Sequence, residues 1–183
     1  HPENPCGKQK RGRGCNEVSG QTIGKPEHPT RMFLEIGDQS TCRGGSEEQA
    51  IIHACKFPCY TSRISPTKNY PKDDPRYLWV EDDHDLFLNI IDPPKPLFQI
   101  ESIYKALSFG EGKQRILIHC NQGQSRSVSL AILLWSFYGG KHDSFEEAKK
   151  DFEEAHPDYP VTPNRGIQEF LTTNWNNINN PKQ

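Results

Sequence analysis

The 183-residue chain has no apolar run long enough to cross a bilayer. Its longest, Val128 to Tyr138, is broken by Ser129 and Ser136 and falls well short of the roughly 20 residues that a spanning helix needs. It has little net charge, −2, so no overall field draws it to nucleic acid or membrane. It also lacks paired CxxC units. The six cysteines, Cys6, Cys15, Cys42, Cys55, Cys59 and Cys120, are irregularly spaced, which does not suggest a zinc framework. Buried or surface thiols in a reduced, intracellular setting, cytoplasmic or nuclear, are the expectation, with no metal and no cofactor. Cys55 and Cys59, four apart with His53 nearby, permit a metal or a disulfide as the less favoured reading. There is no internal repeat.

What is present is concentrated in the middle. Apolar residues make up only 33% of the chain, and 183 residues suffice for one domain with a core but not for two comfortable ones. Residues 1–28 are rich in Gly, Pro and charge, with basic residues Lys8, Lys10, Arg11 and Arg13. They read as a flexible basic arm. A single domain is expected over 29–178, with a tail at 179–183.

Within that domain, Met32 to Gly37 reads as a strand ending at a turn, followed by a helix from Glu47 to Cys55. A proline-rich loop from Phe57 to Pro75 leads to a strand at Tyr77–Val80. Asp92 before Pro93-Pro94 reads as an N-cap, because Leu97, Ile100, Ile103, Tyr104 and Leu107 follow at helical spacing. Arg115 to His119 is a short apolar run suited to a strand buried on both faces. A helix follows from Arg126 to Tyr138. Ser144 with Glu147 is a capping-box pattern opening another helix, and a last one follows Pro163-Asn164. The fold class is α/β: a central, mostly parallel sheet flanked by helices.

The segment His119-Cys120-Asn121-Gln122-Gly123-Gln124-Ser125-Arg126-Ser127 joins the buried strand to the central helix. Loop amides of Asn121, Gln122, Gly123, Gln124 and Ser125 and the positive end of the helix dipole can converge there on one anion. Gly123 lets the loop curl. A cysteine in such a cradle is expected to be ionised and nucleophilic. Arg126 can grip two phosphate oxygens with its planar fork.

This segment resembles the HCx5R loop of the protein tyrosine phosphatases, in the HCxxGxSRS form of the dual-specificity phosphatases. Two further stretches are similar to that family: Ser144-Phe145-Glu146-Glu147-Ala148, and Pro163-Asn164-Arg165-Gly166-Ile167, whose helices buttress the loop. Gly37-Asp38-Gln39-Ser40 looks like its early turn. The resemblance spans roughly residues 30–175. It implies that Cys120 forms a phosphocysteine, that Ser127 helps the thiolate leave, and that His119 and Asn164 support the loop. It also implies a general acid, an Asp after a strand upstream. Asp83 is the expected acid, with Asp82 and Asp85 as alternatives.

The loop side chains are neutral, which favours a single phosphate on protein Tyr, Ser or Thr over a polyphosphate lipid. Phosphorylated protein is therefore the expected partner. An RNA 5′-phosphatase of the same fold, using the basic arm, is the alternative enzyme. A non-catalytic phosphate-binding module is the alternative from another class.

Overall fold

The computed structural model describes residues 16–19, 32–64, 70–140 and 142–180. In chain order the strands and α-helices are β1 (Asn16–Ser19), β2 (Phe33–Gly37), β3 (Ala50–His53), α1 (Thr61–Arg63), β4 (Trp79–Glu81), β5 (Asp85–Leu88), α2 (Ile100–Gly110), β6 (Arg115–His119), α3 (Arg126–Trp135), α4 (Phe145–Ala155) and α5 (Arg165–Asn179). One six-stranded sheet has the order β1-β2-β6-β3-β5-β4. The four inner strands β2, β6, β3 and β5 are parallel, and β1 and β4 close the edges antiparallel. None of the described helices is long and apolar enough to cross a membrane.

Alternation along the strands gives the sheet two different faces. Leu34, Ile36, Ile52, Leu86, Leu88, Ile116 and Ile118 join the main core, where α3 packs on β2 and β6 and also touches α2, α4 and α5. Every residue of α3 from Ser127 to Leu134 is buried, so it is a central helix. Burying each large aliphatic side chain there contributes about 1.5–3 kcal/mol. The alternate residues His53, Asp85, Phe87 and His119 belong to the other face. That face carries a smaller cluster of Cys42, Cys55, Cys59, Tyr60 and Phe87, Phe87 from β5 and the rest from the chain between β2 and α1.

Several expectations hold. β6, α3, α4 and α5 form where the pattern put them, and Ser144 caps α4 by accepting from Glu147 N at 3.1 Å. Others are corrected. Residues 47–55 form no helix: Ala50-Ile51-Ile52-His53 is an inner strand, buried at every position, as suits a β-branched pair in a parallel sheet. The strand expected at 77–80 is the edge strand β4, and β5 follows it. α2 begins at Ile100 with Gln99 as its N-cap, so Asp92 caps no helix and Leu97 is exposed. Asn16–Ser19, inside the expected basic arm, pair with β2. Lys8, Lys10, Arg11, Arg13 and the 181–183 end of the tail lie outside the described residues. Cys42 is disulfide-bonded, against the expected all-thiol set; Cys55, Cys59 and Cys120 keep their thiols.

Candidate active site

The loop after β6 stands at the C-terminal end of the parallel strands, where β6 gives way to α3. Cys120 is buried. Its Sγ accepts from Gly123 N at 3.2 Å and lies 3.2 Å from Ser127 Oγ. Gly123 has φ +73°, in the left-handed region that glycine tolerates. A Cβ there would stand 3.1 Å from Gly37 O. Glycine therefore serves both the turn and the close approach of the Gly37-Asp38 backbone.

Ser125 is the N-cap of α3 but makes no side-chain cap bond. Its Oγ instead accepts from Asn164 N at 2.8 Å. The first-turn amides of α3 therefore keep their positive end for the loop. Arg126 spans the site: Nη1 donates to Ile90 O at 3.2 Å and Nη2 to Asn121 Oδ1 at 2.6 Å. Its Nε is buried with no partner among the described residues, an orphaned donor suited to an anion.

A ring of neighbours holds the loop. Gln39 N donates to Asn121 O at 3.1 Å and Thr162 N to Gln124 O at 3.0 Å. Asn121 Nδ2 donates to Phe57 O at 2.9 Å, and Tyr159 OH to Gly123 O at 3.3 Å. Gln122 is exposed. The 37–40 turn and the 163–167 stretch thus both reach the loop. Of the residues expected in the site, the structure brings together His119, Cys120, Asn121, Gln122, Gly123, Gln124, Ser125, Arg126, Ser127 and Asn164.

It does not bring in Asp82, Asp83 or Asp85. Asp85 is level with Ile51, and Ile51 with Leu117. The 82–84 turn therefore lies at the N-terminal end of the parallel strands, away from Cys120. Asp82 accepts from Asp85 N at 2.9 Å and pairs with Arg63 at 2.8 Å. Asp85 is buried and accepts from Gly45 N at 3.0 Å. It also meets His53 Nε2 at 2.7 Å. Asp83 is exposed on the turn.

Two carboxylates stand at the C-terminal end: Asp38 after β2, whose Oδ1 accepts from Ser40 N at 2.8 Å, and Asp92, beyond the C-terminal end of β5. The Asp92 carbonyl accepts from Asn164 Nδ2 at 2.8 Å, and Asn164 is tied to Ser125 of the loop. Its Oδ1 is buried without a partner among the described residues. The sequence carried a signal for it: Asp92 follows Leu86–Ile91, an apolar run that reads as a strand once the 77–80 strand is recognised as an edge.

His119 lies beneath the loop. Burial, reinforced by the neighbouring His53, pushes its imidazole down to about 3, so it is neutral near pH 7. Nearby, Cys55 Sγ donates to Gln39 Oε1 at 3.8 Å. The interaction between Cys55 and Cys59 pulls the Cys59 thiol below its ordinary value, while it and burial push Cys55 up.

No family model matches the sequence, and no curated protein matches it. Solved structures do. The Cydia pomonella PTP-2 phosphatase is 17% identical, with a TM-score of 0.51, covering 76% of this chain and 84% of that one. The Yvh1 phosphatase domain from Chaetomium thermophilum is 17% identical, with a TM-score of 0.51, covering 91% and 100%. DUSP15 is 15% identical, with a TM-score of 0.46, covering 77% and 81%. On strand order, loop position and the two likenesses with a TM-score of 0.51, the chain shares the fold of those phosphatase domains.

Proposed function

We propose that the chain is a cysteine-dependent phosphomonoester hydrolase acting on phosphorylated protein side chains. The observation that carries this reading is the loop itself. Cys120 Sγ sits on its floor with Gly123 N and Ser127 Oγ each at 3.2 Å, and the orphaned Nε of Arg126 belongs to the same site.

In the first step the Cys120 thiolate attacks phosphorus, the bond from phosphorus to the leaving oxygen breaks, and Asp92 gives that oxygen a proton. Loop amides and Arg126 hold the equatorial oxygens as charge develops. In the second step water attacks phosphorus and gives a proton back to Asp92. The phosphorus–sulfur bond breaks, and Ser127 hydrogen-bonds the departing thiolate. Asp92 takes the acid role here in place of Asp83, Asp82 and Asp85, because its Oδ1 is buried and unpaired beside the loop's support. No step calls for a metal.

The neutral side chains at Asn121, Gln122, Gln124 and Ser125 suit one phosphate. Phe57 and Ile91 are exposed apolar side chains on segments bonded to Asn121 and Arg126 respectively, and they would pack against the ring of a phosphotyrosine. Phosphate release from the reduced chain, measured on phosphotyrosyl and phosphothreonyl peptides, phosphoinositide vesicles and 5′-triphosphate RNA, tests this. The peptides should be the best substrates. Faster turnover of RNA would overturn the protein-substrate reading, and no release from any substrate would leave a phosphate-binding module.

A further inference from the structure

On the sheet face opposite α3, Cys42, His53, Cys59 and His119 converge. All four are buried, and their ligand atoms lie within 4.8 Å of one another. Cys42 Sγ is 3.5 Å from both Cys59 Sγ and His53 Nδ1. His53 Nδ1 is 2.7 Å from His119 Nε2, and Cys59 Sγ is 3.9 Å from His119 Nε2. Zinc bonds of about 2.3 Å to sulfur and 2.0–2.1 Å to nitrogen set tetrahedral edges of about 3.8 Å for S–S, 3.6 Å for S–N and 3.3 Å for N–N. The four edges given depart from these by about 0.1–0.6 Å, and with every ligand atom within 4.8 Å of the others, side-chain rotation about an ion would close the set.

The surroundings are those of a ligand set rather than of four packed side chains. Asp85, itself held by Gly45 N at 3.0 Å, lies 2.7 Å from His53 Nε2. That bond fixes the Nε2–H tautomer and turns the Nδ1 lone pair inward, the carboxylate–histidine arrangement that supports metal ligands. Gln39 Nε2 points at Cys59 Sγ from 3.7 Å, a donor suited to a thiolate. His119 Nδ1 has Cys120 O at 3.5 Å, an acceptor for its proton when Nε2 binds metal. Cys55, adjacent in sequence to this group, lies outside it.

We propose that these residues form a Cys2His2 site for Zn2+ that is gated by the oxidation state of Cys42. Cys42 is disulfide-bonded here, and in that form it offers no thiolate. A dithiol reductant opens the bond: two electrons and two protons pass to the disulfide sulfurs while the dithiol becomes its own disulfide. Zn2+ then displaces the thiol protons of Cys42 and Cys59. The bound ion ties β3, the 38–42 turn and the 55–60 segment to His119, the residue immediately before Cys120. Oxidation of Cys42 removes that tie. The site does not depend on turnover at Cys120.

The test uses the full chain with Co2+ as the spectroscopic probe. Reduced anaerobically and desalted, wild type should take up one Co2+ per chain. It should show the visible bands of tetrahedral cobalt and a thiolate-to-cobalt charge-transfer band, all displaced by one Zn2+. Cys59→Ser should weaken binding at least tenfold and reduce the charge-transfer band, while Cys55→Ser and Cys120→Ser keep the wild-type spectrum. The unreduced chain should bind no cobalt. Reduced, folded wild type without stoichiometric tetrahedral cobalt would overturn the proposal, whatever the variants do. So would an unreduced chain that binds equally well. Because Cys120→Ser is inert in catalysis yet expected to bind metal, loss of the phosphatase reading and loss of this one are separate outcomes.

Discussion

Replacing Asp92 by Asn removes a proton donor while keeping the side-chain shape. Oδ1 of Asp92 has no partner among the described residues, and the tether to Asn164 runs through the Asp92 carbonyl, so the substitution breaks no observed side-chain bond. The fall in rate can therefore be read as chemistry rather than as lost structure. General-acid catalysis is worth about 10²–10⁴-fold, or roughly 3–5 kcal/mol of barrier. The loss should depend on the leaving group. With phosphotyrosine, whose phenol has a pKa near 10, kcat should fall by about 10²-fold, and with phosphothreonine by more. With an activated nitrophenol, which leaves as the anion, it should fall far less. Asp83→Asn, on an exposed turn at the other end of the strands, should change kcat by no more than about twofold. Steady-state kinetics of both variants on the three substrates decides it. A leaving-group-dependent loss in Asp83→Asn with none in Asp92→Asn would move the acid role to Asp83.

Three further substitutions probe other parts of the site. Ser127→Ala removes the hydroxyl 3.2 Å from Cys120 Sγ. Breakdown of the phosphocysteine should slow about tenfold, the worth of one hydrogen bond, and stopped-flow traces should show a product burst. Arg126→Lys keeps the charge but loses the fork. The kcat/KM should drop about 10²-fold, with a native circular dichroism spectrum. Gly166→Ala puts a Cβ about 2.1 Å from Pro93 O and 2.3 Å from Lys95 O. Overpacking of that kind costs about 1–3 kcal/mol, so Tm should fall by several degrees. Activity should fall with it, since the displaced segment carries Asp92.

The loop was legible in the sequence because its chemistry is local: a buried strand, nine consecutive residues and a helix start fix Cys120, Gly123, Arg126 and Ser127 together. α4 and α5 were legible through the Ser144 cap and the spacing of Ile167, Phe170 and Leu171. The acid was not, because it depends on which strands lie inside the sheet. Asp85 to Leu88 and Ala50 to His53 are inner strands only by virtue of their parallel neighbours, and short apolar runs do not announce partners. With β5 unrecognised, the acidic turn after β4 looked like the strand's C-terminal end, and Asp92 looked like a helix cap. The Cys/His cluster was hidden for a related reason. Cys42, His53, Cys59 and His119 come from four separate segments, and only the alternation of side chains across the sheet puts the histidines and Asp85 on one face.

In the proposed reaction Cys120 carries the phosphate between the two steps. Reduced full chain mixed with a phosphotyrosyl peptide, denatured within the first turnover and mapped by mass spectrometry, tests it directly, with Ser127→Ala used to accumulate the intermediate. One phosphate per chain on Cys120, absent in Cys120→Ser, is the predicted result. Turnover with no phosphate on Cys120, or with phosphate on another side chain, would remove Cys120 from the role of nucleophile.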